Sequence, residues 1–338
     1  MTAGSVTGPG RAVPRVFVAT RDRIHTVVPE EGELRPTAEV DARPTCLAAD
    51  RTIGRIWCGT EQGVRRSDNG GETWTAAGLE GEEVTALAAD PTEAGAAWAG
   101  TEPSAVYRSD DGGRSWARAG GLLQLPSSSE WSFPPRPETH HVRWISAHPE
   151  EGGRLWVAIE AGALVTTADG GVTWRDREPG GPYDTHEIAI HPDRPECLRI
   201  SAGDGYYESD DGGATWRSPE AGLEVGYLRS VAVDPGDPDV VVVSAASGAH
   251  SAYATGRSDG RLYRRKEGAA WERVTDGWPE EPETIAPLLT TGREPGELWA
   301  ADERGVHRSG DGGQTWERVA KFGSPPPWLR GLAVVEVG

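Results

Sequence analysis

Arginine and histidine recur at one place in the repeated strands of this chain. The place is found by counting back six residues from the position that follows the first strand of a repeat. It holds Arg143, His186, Arg229 and Arg330. Guanidinium groups bind carboxylates, phosphates and sulfates through paired hydrogen bonds, so convergent arginines predict an anion site. The same arginines can instead pair with neighbouring carboxylates and close a channel. The pattern leaves both interpretations open.

Carboxylates recur at a second equivalent place, directly after the next strand of each repeat. This place holds Glu61, Glu102, Glu160, Asp204 and Glu303, with Arg21 in the first repeat. We therefore expect a ring of cations surrounded by a ring of carboxylates at one mouth of the molecule, with Glu61 and Glu102 among the ligand-binding groups. Carboxylates such as Glu160 and Asp204 can serve as acid or base, and His186 can move protons. These three are the predicted catalytic residues of a hydrolase or lyase.

Histidines supply a third kind of chemistry. His141, His186 and His250 fall in or beside connections that lead to the same mouth, and Asp184 is close to His186 in sequence. Three imidazoles and a carboxylate can bind a divalent metal. No short metal-binding spacing is present, so a required cofactor is not predicted, and the metal stays an alternative.

Four tryptophans stand apart from the repeats. Each lies in a connection that leads to the first strand of a repeat or at the start of such a strand: Trp131, Trp144, Trp278 and Trp328. Exposed aromatic rings stack on sugars, whereas buried ones pack loops against strands. We expect Trp131, Trp144 and Trp328, together with Tyr227, to contact a ligand, and packing is the open alternative.

An eight-residue motif organises the elements that position these side chains. It reads [Ser/Thr]-x-[Asp/Asn]-x-Gly-x-[Thr/Ser/Ala]-Trp and predicts a tight hairpin, in which glycine takes a positive φ and the acid caps backbone N–H groups. The tryptophan is expected to lie across the hairpin. Copies end at Trp74, Trp116, Trp174, Trp216 and Trp316, and a degenerate copy ends at Trp271.

The repeats predict an all-β fold, a seven-bladed β-propeller. Short alternating strands with Gly and Pro turns recur at a nearly constant period, which is typical of propeller blades. Six blades contain the motif. A seventh combines the N-terminal strands, the last of them near Ala38, with the C-terminal strand that begins at Leu329, and this pairing closes the ring. We expect residues 1–14 to be a disordered tail and residues 15–338 to form one propeller.

Two long connections interrupt the period. One spans Gly120 to His140 and the other Ser247 to Arg261. In an up-and-down blade these two kinds of connection emerge on the same face, so the 120–140 and 247–261 loops are predicted to border one mouth. Ordered long loops on a rigid scaffold commonly carry binding sites.

The motif resembles the Asp-box, or BNR, repeat of sialidases and other β-propellers, and its copies cover nearly the whole chain. The resemblance implies a propeller fold. Sialidases use an arginine triad, to which Arg143, Arg229 and Arg330 correspond in rough position. The [Phe/Tyr]-Arg-Ile-Pro motif is absent and sialidases have six blades, so sialidase activity is not expected. Xyloglucanase-type relatives pair two propellers. The photosystem II assembly-factor type is a single propeller that binds a protein. The Trp131–Trp144 region of this chain resembles a loop of uncharacterised bacterial BNR proteins that are labelled as glycosyl hydrolases.

Composition restricts the partners. The chain has 34 basic and 53 acidic residues and a formal charge of −19, which argues against nucleic acid and anionic membranes. No apolar run is long enough to span a bilayer, no secretory signal is evident, and the three cysteines suggest free thiols. We predict a cytoplasmic protein. Its pocket would bind a small anionic or sugar-like ligand, and a protein-binding assembly scaffold is the alternative.

Overall fold

The computed structural model describes residues 13–28, 33–37, 40–279, 284–326 and 328–337 of the 338-residue chain. Strands dominate these ranges. The helical segments there are short, namely α1 (Ala249–Tyr253) and two 3-10 turns (Leu122–Gln124 and Pro126–Glu130). None of the helices in the described ranges has the length and apolar character that crossing a bilayer requires.

The strands form seven antiparallel blades, as the sequence predicts. The N-terminal strands are β1 (Val13–Thr20), β2 (Ile24–Val28) and β3 (Glu33–Pro36). The second blade contains β4 (Pro44–Asp50), β5 (Arg55–Thr60), β6 (Gly63–Ser67) and β7 (Thr75–Ala76). The third contains β8 (Glu83–Ala89), β9 (Ala97–Glu102), β10 (Val106–Ser109) and β11 (Ala117–Arg118).

The fourth and fifth blades have three strands each, and an isolated bridge replaces the fourth strand. They contain β12 (Val142–Ala147), β13 (Leu155–Ile159) and β14 (Ala163–Thr167), then β15 (Thr185–His191), β16 (Arg194–Ala202) and β17 (Gly205–Ser209). The bridges are Thr166–Arg175 and Glu208–Arg217.

The last two complete blades continue the series. The sixth contains β18 (Tyr227–Asp234), β19 (Asp237–Ala246), β20 (Arg261–Lys266) and β21 (Glu272–Arg273). The seventh contains β22 (Leu288–Thr291), β23 (Leu298–Asp302), β24 (Gly305–Ser309) and β25 (Glu317–Lys321).

The C-terminal strand β26 (Leu329–Val337) closes the ring, as predicted. It pairs antiparallel with β1 from Thr20–Leu329 to Val13–Val337 and so completes the first blade. The strand expected near Ala38 is β3, and Ala38 itself lies outside the described residues. The expected tail, residues 1–14, is described only from Val13, where β1 begins.

The first strand of every blade lies innermost. These strands contact one another around the ring in the order β26, β4, β8, β12, β15, β18 and β22. Trp57, Trp98, Trp156 and Trp299, which lie on the second strands, are fully buried. Apolar clusters join neighbouring blades, for example Trp98 of the third blade with Ile145 and Val157 of the fourth. Burial of this apolar surface holds the blades together.

The motif turns have the predicted geometry. Gly212 and Gly213 have φ of 70° and 94°. The Ser209 hydroxyl accepts the Gly213 N–H at 2.8 Å, and the Asp211 carboxylate accepts the N–H and hydroxyl of Thr215 at 2.8 and 2.6 Å. The motif tryptophans differ from one copy to another. Trp116 donates its indole N–H to Ala77 of the preceding blade at 2.7 Å, so this ring joins blades, whereas Trp316 donates to Gly313 of its own hairpin at 3.1 Å, as expected.

Candidate functional site

Both insertions lie at one mouth of the propeller, which we call the decorated mouth. Phe133 of the first insertion packs edge-on against His141 at 4.7 Å between ring centroids. Tyr253 of the second insertion accepts a hydrogen bond from Arg143 at 3.4 Å. The loops that enter the first strands and those that leave the second strands therefore meet here, as the alternation of strands predicts.

The predicted ring residues share a backbone feature that the sequence did not reveal. In six of the seven blades the innermost strand contains a β-bulge near this mouth, and the unpaired residue in each is Arg330, Thr45, Thr85, Arg143, His186 or Arg229. A bulge inserts one residue into a strand and redirects its side chain. The bulges thus explain why side chains from so many strands turn toward the same mouth.

Most bulge side chains fasten one blade to another. The hydroxyl of Thr45 donates to the Val84 carbonyl, and that of Thr85 donates to the Val142 carbonyl at 2.7 Å. Nδ1 of His186 contacts the Leu228 carbonyl at 2.5 Å. Each accepting carbonyl belongs to the residue just before the bulge of the next blade.

Arg229 has the same structural role on a larger scale. Its guanidinium donates to the carbonyls of Ala286 at 2.7 Å, Leu329 at 3.0 Å and Ala252 at 3.4 Å. The side chain is buried, and its positive charge faces Arg143 and Arg330. Burial and these two cations lower the pKa of Arg229 to about 10. Arg229 therefore ties α1 and two blades to the channel wall.

Arg143 and Arg330 differ from the other bulge residues because neither donates to the next blade. Arg143 lies 3.4 Å from the Glu160 carboxylate and is half-buried. Arg330 is exposed and has no hydrogen bond or ion pair with the residues that the structure describes. Its guanidinium lies 5.5 Å from the centre of the Trp328 ring. Partial desolvation of the guanidinium at the channel entrance, together with the charges of Arg143 and Arg21, lowers the pKa of Arg330, and the charges of Glu61 and Glu83 oppose this shift.

Three of the ring arginines and the ring histidine meet at a small cavity in the channel. Arg143, His186, Arg229 and Arg330 line it together with Glu187, and its volume is about 40 Å³. Drug-sized ligands occupy pockets of roughly 300–1,000 Å³. A cavity of this size has room for a small head group, while the rest of a ligand would lie across the mouth.

His186 has a defined protonation state. A carbonyl oxygen only accepts hydrogen bonds, so the contact with Leu228 assigns the proton of the neutral ring to Nδ1 and leaves a lone pair on Nε2. Burial lowers the pKa of His186, which favours the neutral ring. Nε2 faces the Tyr227 hydroxyl at 3.4 Å and Asp184 at 3.7 Å.

Glu160 is an ionised carboxylate. Burial would raise its pKa, but Arg143 and the hydrogen bond from His141, at 2.7 Å, outweigh burial and lower the pKa to about 2. An acid this strong is a poor proton donor or acceptor at neutral pH. Asp184 lies beside it and has the opposite shift, because burial and the charge of Glu160 raise its pKa.

The other predicted carboxylates surround the mouth without converging on it. Glu102 pairs with Arg136 at 2.6 Å and lies 3.7 Å from His141. Glu61 is exposed and lies 3.8 Å from Arg43. Asp204 is exposed and accepts the Tyr207 hydroxyl at 2.8 Å as well as backbone N–H groups of Tyr183 and Asp184 at 3.4 and 3.2 Å. These residues stabilise local loops.

The tryptophans divide between the two interpretations. Trp131 is buried in the core of the fourth blade and donates to Ser127 at 3.0 Å, so its function is packing. Trp144 is half-buried at the cavity wall. Trp328 is 40% exposed and stacks on Tyr253 with ring centroids 6.1 Å apart. Of these three rings, Trp328 is the one available for stacking on a ligand.

The three histidines of the predicted metal site do not form a single cluster. His141 forms a hydrogen bond with Glu160, His186 lies with Glu160 and Asp184, and His250 is exposed on α1.

Two relevant residues were not found by sequence reasoning. Tyr253 contacts Arg143, Arg229 and Trp328, and its position within the 247–261 insertion was the available signal. Glu187 lines the cavity, and no sequence signal marked it.

The fold and the polar mouth define a seven-bladed β-propeller with a cationic channel entrance. No family model matches the sequence, and no curated protein matches it. Among solved structures, the chain is similar to the GH74 xyloglucanase from Xanthomonas campestris, with a TM-score of 0.69 and 16% identity over 92% of this chain and 53% of that one. It is also similar to the GH74 enzyme of Niastella koreensis, with a TM-score of 0.71 and 15% identity over 91% and 52%.

A third similar structure is that of YCF48 bound to a D1 peptide. Its TM-score is 0.58, its identity is 20%, and the match covers 82% of each chain. The present chain spans about half the length of the two GH74 enzymes, at 53% and 52%. All three likenesses lie at low sequence identity, so they concern the β-propeller fold.

Proposed function

We propose that this propeller binds the carboxylate group of a ligand at the decorated mouth, with Arg330 and Arg143 as its cationic contacts and Trp328 as a stacking surface. The carboxylate belongs either to a peptide C-terminus or to a sugar acid. Both offer the same planar anion, which a guanidinium binds through two hydrogen bonds. The protein is on this proposal a binding module rather than a deep-pocket enzyme.

The observation that carries the proposal is that Arg330 forms no ion pair with any residue that the structure describes. Arg21, Arg143, Arg229 and Arg330 lie near one another at the mouth, and partial desolvation together with the charges of Arg143 and Arg21 lowers the pKa of Arg330. No described carboxylate lies within ion-pair distance of it, although the charges of Glu61 and Glu83 act on it and raise its pKa. A bound anion would relieve this repulsion, and the small channel cavity limits the buried part of the ligand to its head group.

The similar structures support the two sources of the carboxylate unequally. The YCF48 structure contains a peptide, and that protein matches this chain over most of both lengths. The GH74 enzymes match over about half of their own lengths. A peptide terminus that crosses the open mouth is therefore our preferred ligand, and a protein partner follows from it.

A calorimetric titration tests the proposal with matched ligands. We expect short peptides with a free C-terminus, or uronic acids, to bind, and their C-terminal amides or neutral sugars to bind at least about tenfold more weakly. Arg330→Ala should abolish detectable binding because it removes the unpaired guanidinium, and Arg330→Lys should restore part of it. Arg293→Ala, which removes an exposed arginine that pairs with Glu336, is the control of equal charge. Equal affinity of Arg330→Ala and the parent protein would overturn the assignment.

A hydrolase or lyase at the same mouth is the second candidate. His186 favours it, because Nε2 holds a lone pair beside the Tyr227 hydroxyl. Glu160, with its low pKa, would orient substrate, and the exposed Asp204 would remain a loop residue. Turnover of nitrophenyl uronides or glycosides that falls about 100-fold or more in His186→Gln would support catalysis. Equal rates in that variant would remove His186 from the mechanism.

Three broader statements belong to the same proposal. We infer that the motif turns make the chain a relative of the Asp-box propellers, because serine, acid and glycine make equivalent contacts in the turns ending at Trp116, Trp216 and Trp316. We also infer that residues 15–338 fold as one unit and that the protein works in the cytoplasm. Limited proteolysis and localisation of the tagged full chain test these two inferences.

A further inference from the structure

Two groups of three potential metal ligands occur among the described residues. One is Glu160, Asp184 and His186 at the decorated mouth, and the other is His148, Glu151 and Glu196 on the opposite face. In each group the ligand atoms lie within 4.8 Å of one another. The hydrogen bonds of the two histidines distinguish these groups.

We propose that Glu160, Asp184 and His186 bind a divalent transition-metal ion, such as Zn²⁺ or Mn²⁺. One imidazole nitrogen and two carboxylate oxygens form a set of three protein ligands that leaves coordination positions open. The site goes beyond carboxylate binding at Arg330 and does not depend on it.

The histidine is oriented for coordination. Nδ1 donates to the Leu228 carbonyl at 2.5 Å, which fixes the ring and directs the lone pair of Nε2 toward the two acids. Histidine ligands in metal sites commonly donate their second N–H in this way. The side chain is 1% exposed, and Tyr227 packs on it with ring centroids 5.0 Å apart, so the ring is held in place before any ion arrives.

The two carboxylates are also held from behind. Asp184 accepts the Ala161 N–H through Oδ1 at 2.9 Å, which leaves Oδ2 facing Nε2 of His186 at 3.7 Å. Glu160 receives a hydrogen bond from His141 at 2.7 Å. His141 is thus a positioning residue for a ligand. Two acids outweigh the single positive charge of Arg143, so an added cation meets a net negative group.

The opposite group lacks the required lone pair. Nδ1 of His148 accepts the N–H groups of Glu150 at 3.1 Å and Glu151 at 2.9 Å. The proton of the neutral ring must then lie on Nε2, which faces Glu196 at 3.7 Å. Arg154 also pairs with both acids, at 3.1 and 2.6 Å. The Arg154 guanidinium already supplies a positive charge to this group, so the group serves as a control within the same protein.

Metal content and calorimetry test the proposal directly. The full chain, freed of metal with a chelator and desalted, is titrated with Zn²⁺ and separately with Mn²⁺. We expect one ion per chain for at least one metal, retained through gel filtration and measured by elemental analysis. Asp184→Asn and Glu160→Gln keep the side-chain shape, and each should weaken binding at least about tenfold. Glu196→Gln, in the opposite group, should bind as the parent does.

Several outcomes would overturn the site. The absence of stoichiometric binding for both ions is one, and unchanged affinity in Asp184→Asn is another. Loss of binding in Glu196→Gln alone would move the metal to the opposite face. Circular dichroism shows whether each variant is folded, and a folded Glu160→Gln that still binds normally would overturn the proposal when Asp184→Asn is unfolded.

The metal and the carboxylate ligand can be separated by experiment. Arg330→Ala should lose carboxylate binding and still bind the ion. Asp184→Asn should lose the ion and, when no metal is added, still bind the carboxylate ligand. The metal also excludes the second candidate function in its simple form, because the single lone pair of His186 cannot hold an ion and accept a proton at once.

Discussion

Arginine occupies three of the bulges, and the partners of each arginine determine its role. Arg229 gives its hydrogen bonds to three backbone carbonyls, so it stabilises the channel wall. Arg143 pairs loosely with Glu160, and Arg330 faces the mouth with no hydrogen bond or ion pair to the described residues. An unpartnered charge near other cations has the most to gain from an anion. Charge alone does not distinguish which of these three arginines is the best anion-binding group.

Glu187 leads to a prediction about pH. Burial raises its pKa from 4.5 to about 8, although Ser230 and the cations Arg143 and Arg229 oppose the shift. Because the folded-state pKa is raised, the protonated Glu187 side chain adds to the free energy of unfolding. This contribution is fully present below about pH 4.5 and is lost as the pH rises through 8. The loss is at most about 5 kcal/mol.

Glu187→Gln should remove this dependence, because the amide cannot ionise and keeps an oxygen that accepts from Ser230. Urea unfolding of both proteins at about pH 5 and pH 9 measures the effect. We expect the free energy of unfolding of the variant, relative to the parent, to be higher at the alkaline pH. An identical difference at both values would show that Glu187 titrates normally.

The strands depend on one another through the closed ring. β26 supplies the inner edge of the first blade, where it pairs with β1, and it also contacts β4 and β22. Ala333, Val334 and Val335 are buried there. Without β26, β1 would expose an unpaired edge, and such edges recruit other chains.

Removal of residues 329–338 should therefore prevent formation of a stable monomer. We expect the truncated chain to aggregate or to lose its near-ultraviolet dichroism, and a synthetic peptide with the sequence of β26 to restore it. Val335→Asp should lower the melting temperature strongly, since this residue is 1% exposed, whereas Glu336→Gln at the next position should have a small effect. A truncated monomer with the melting temperature of the parent would contradict the role of β26.

The whole molecule combines an acidic body with a cationic mouth. The chain carries a formal charge of −19, yet one channel entrance holds four arginines, namely Arg21, Arg143, Arg229 and Arg330. Repulsion among the acidic residues opposes the compact state, while the local cations attract an anion. Salt screens both effects.

The stability of the protein and its affinity for the ligand should therefore respond to salt in opposite directions. Raising NaCl from about 20 to about 300 mM shortens the Debye length several-fold. We expect the melting temperature of the free protein to rise and the affinity for the carboxylate ligand to fall. Arg330→Ala should keep the first response, because its acidic body is unchanged. A ligand affinity independent of salt would argue against recognition through the arginines.

The sequence by itself determined the architecture. The motif copies and their spacing predict seven blades, positive-φ glycines, closure by the last strand and two insertions on one face. These features follow from local rules: turn residues fix backbone angles, and alternating strands fix which connections share a face. The positions of Arg143, His186, Arg229 and Arg330 around one cavity also followed, since equivalent residues of repeats take equivalent places.

Only the tertiary structure showed the contacts of these residues. The bulges, the burial of Trp131, the stacking of Tyr253 on Trp328, and the approach of Asp184 to His186 depend on contacts between residues far apart in the chain. Hydrogen bonds and charges act through space at distances of a few ångströms, and repeat spacing does not encode such distances. The sequence therefore placed the arginines, and three-dimensional packing determined which of them forms no ion pair with the described residues.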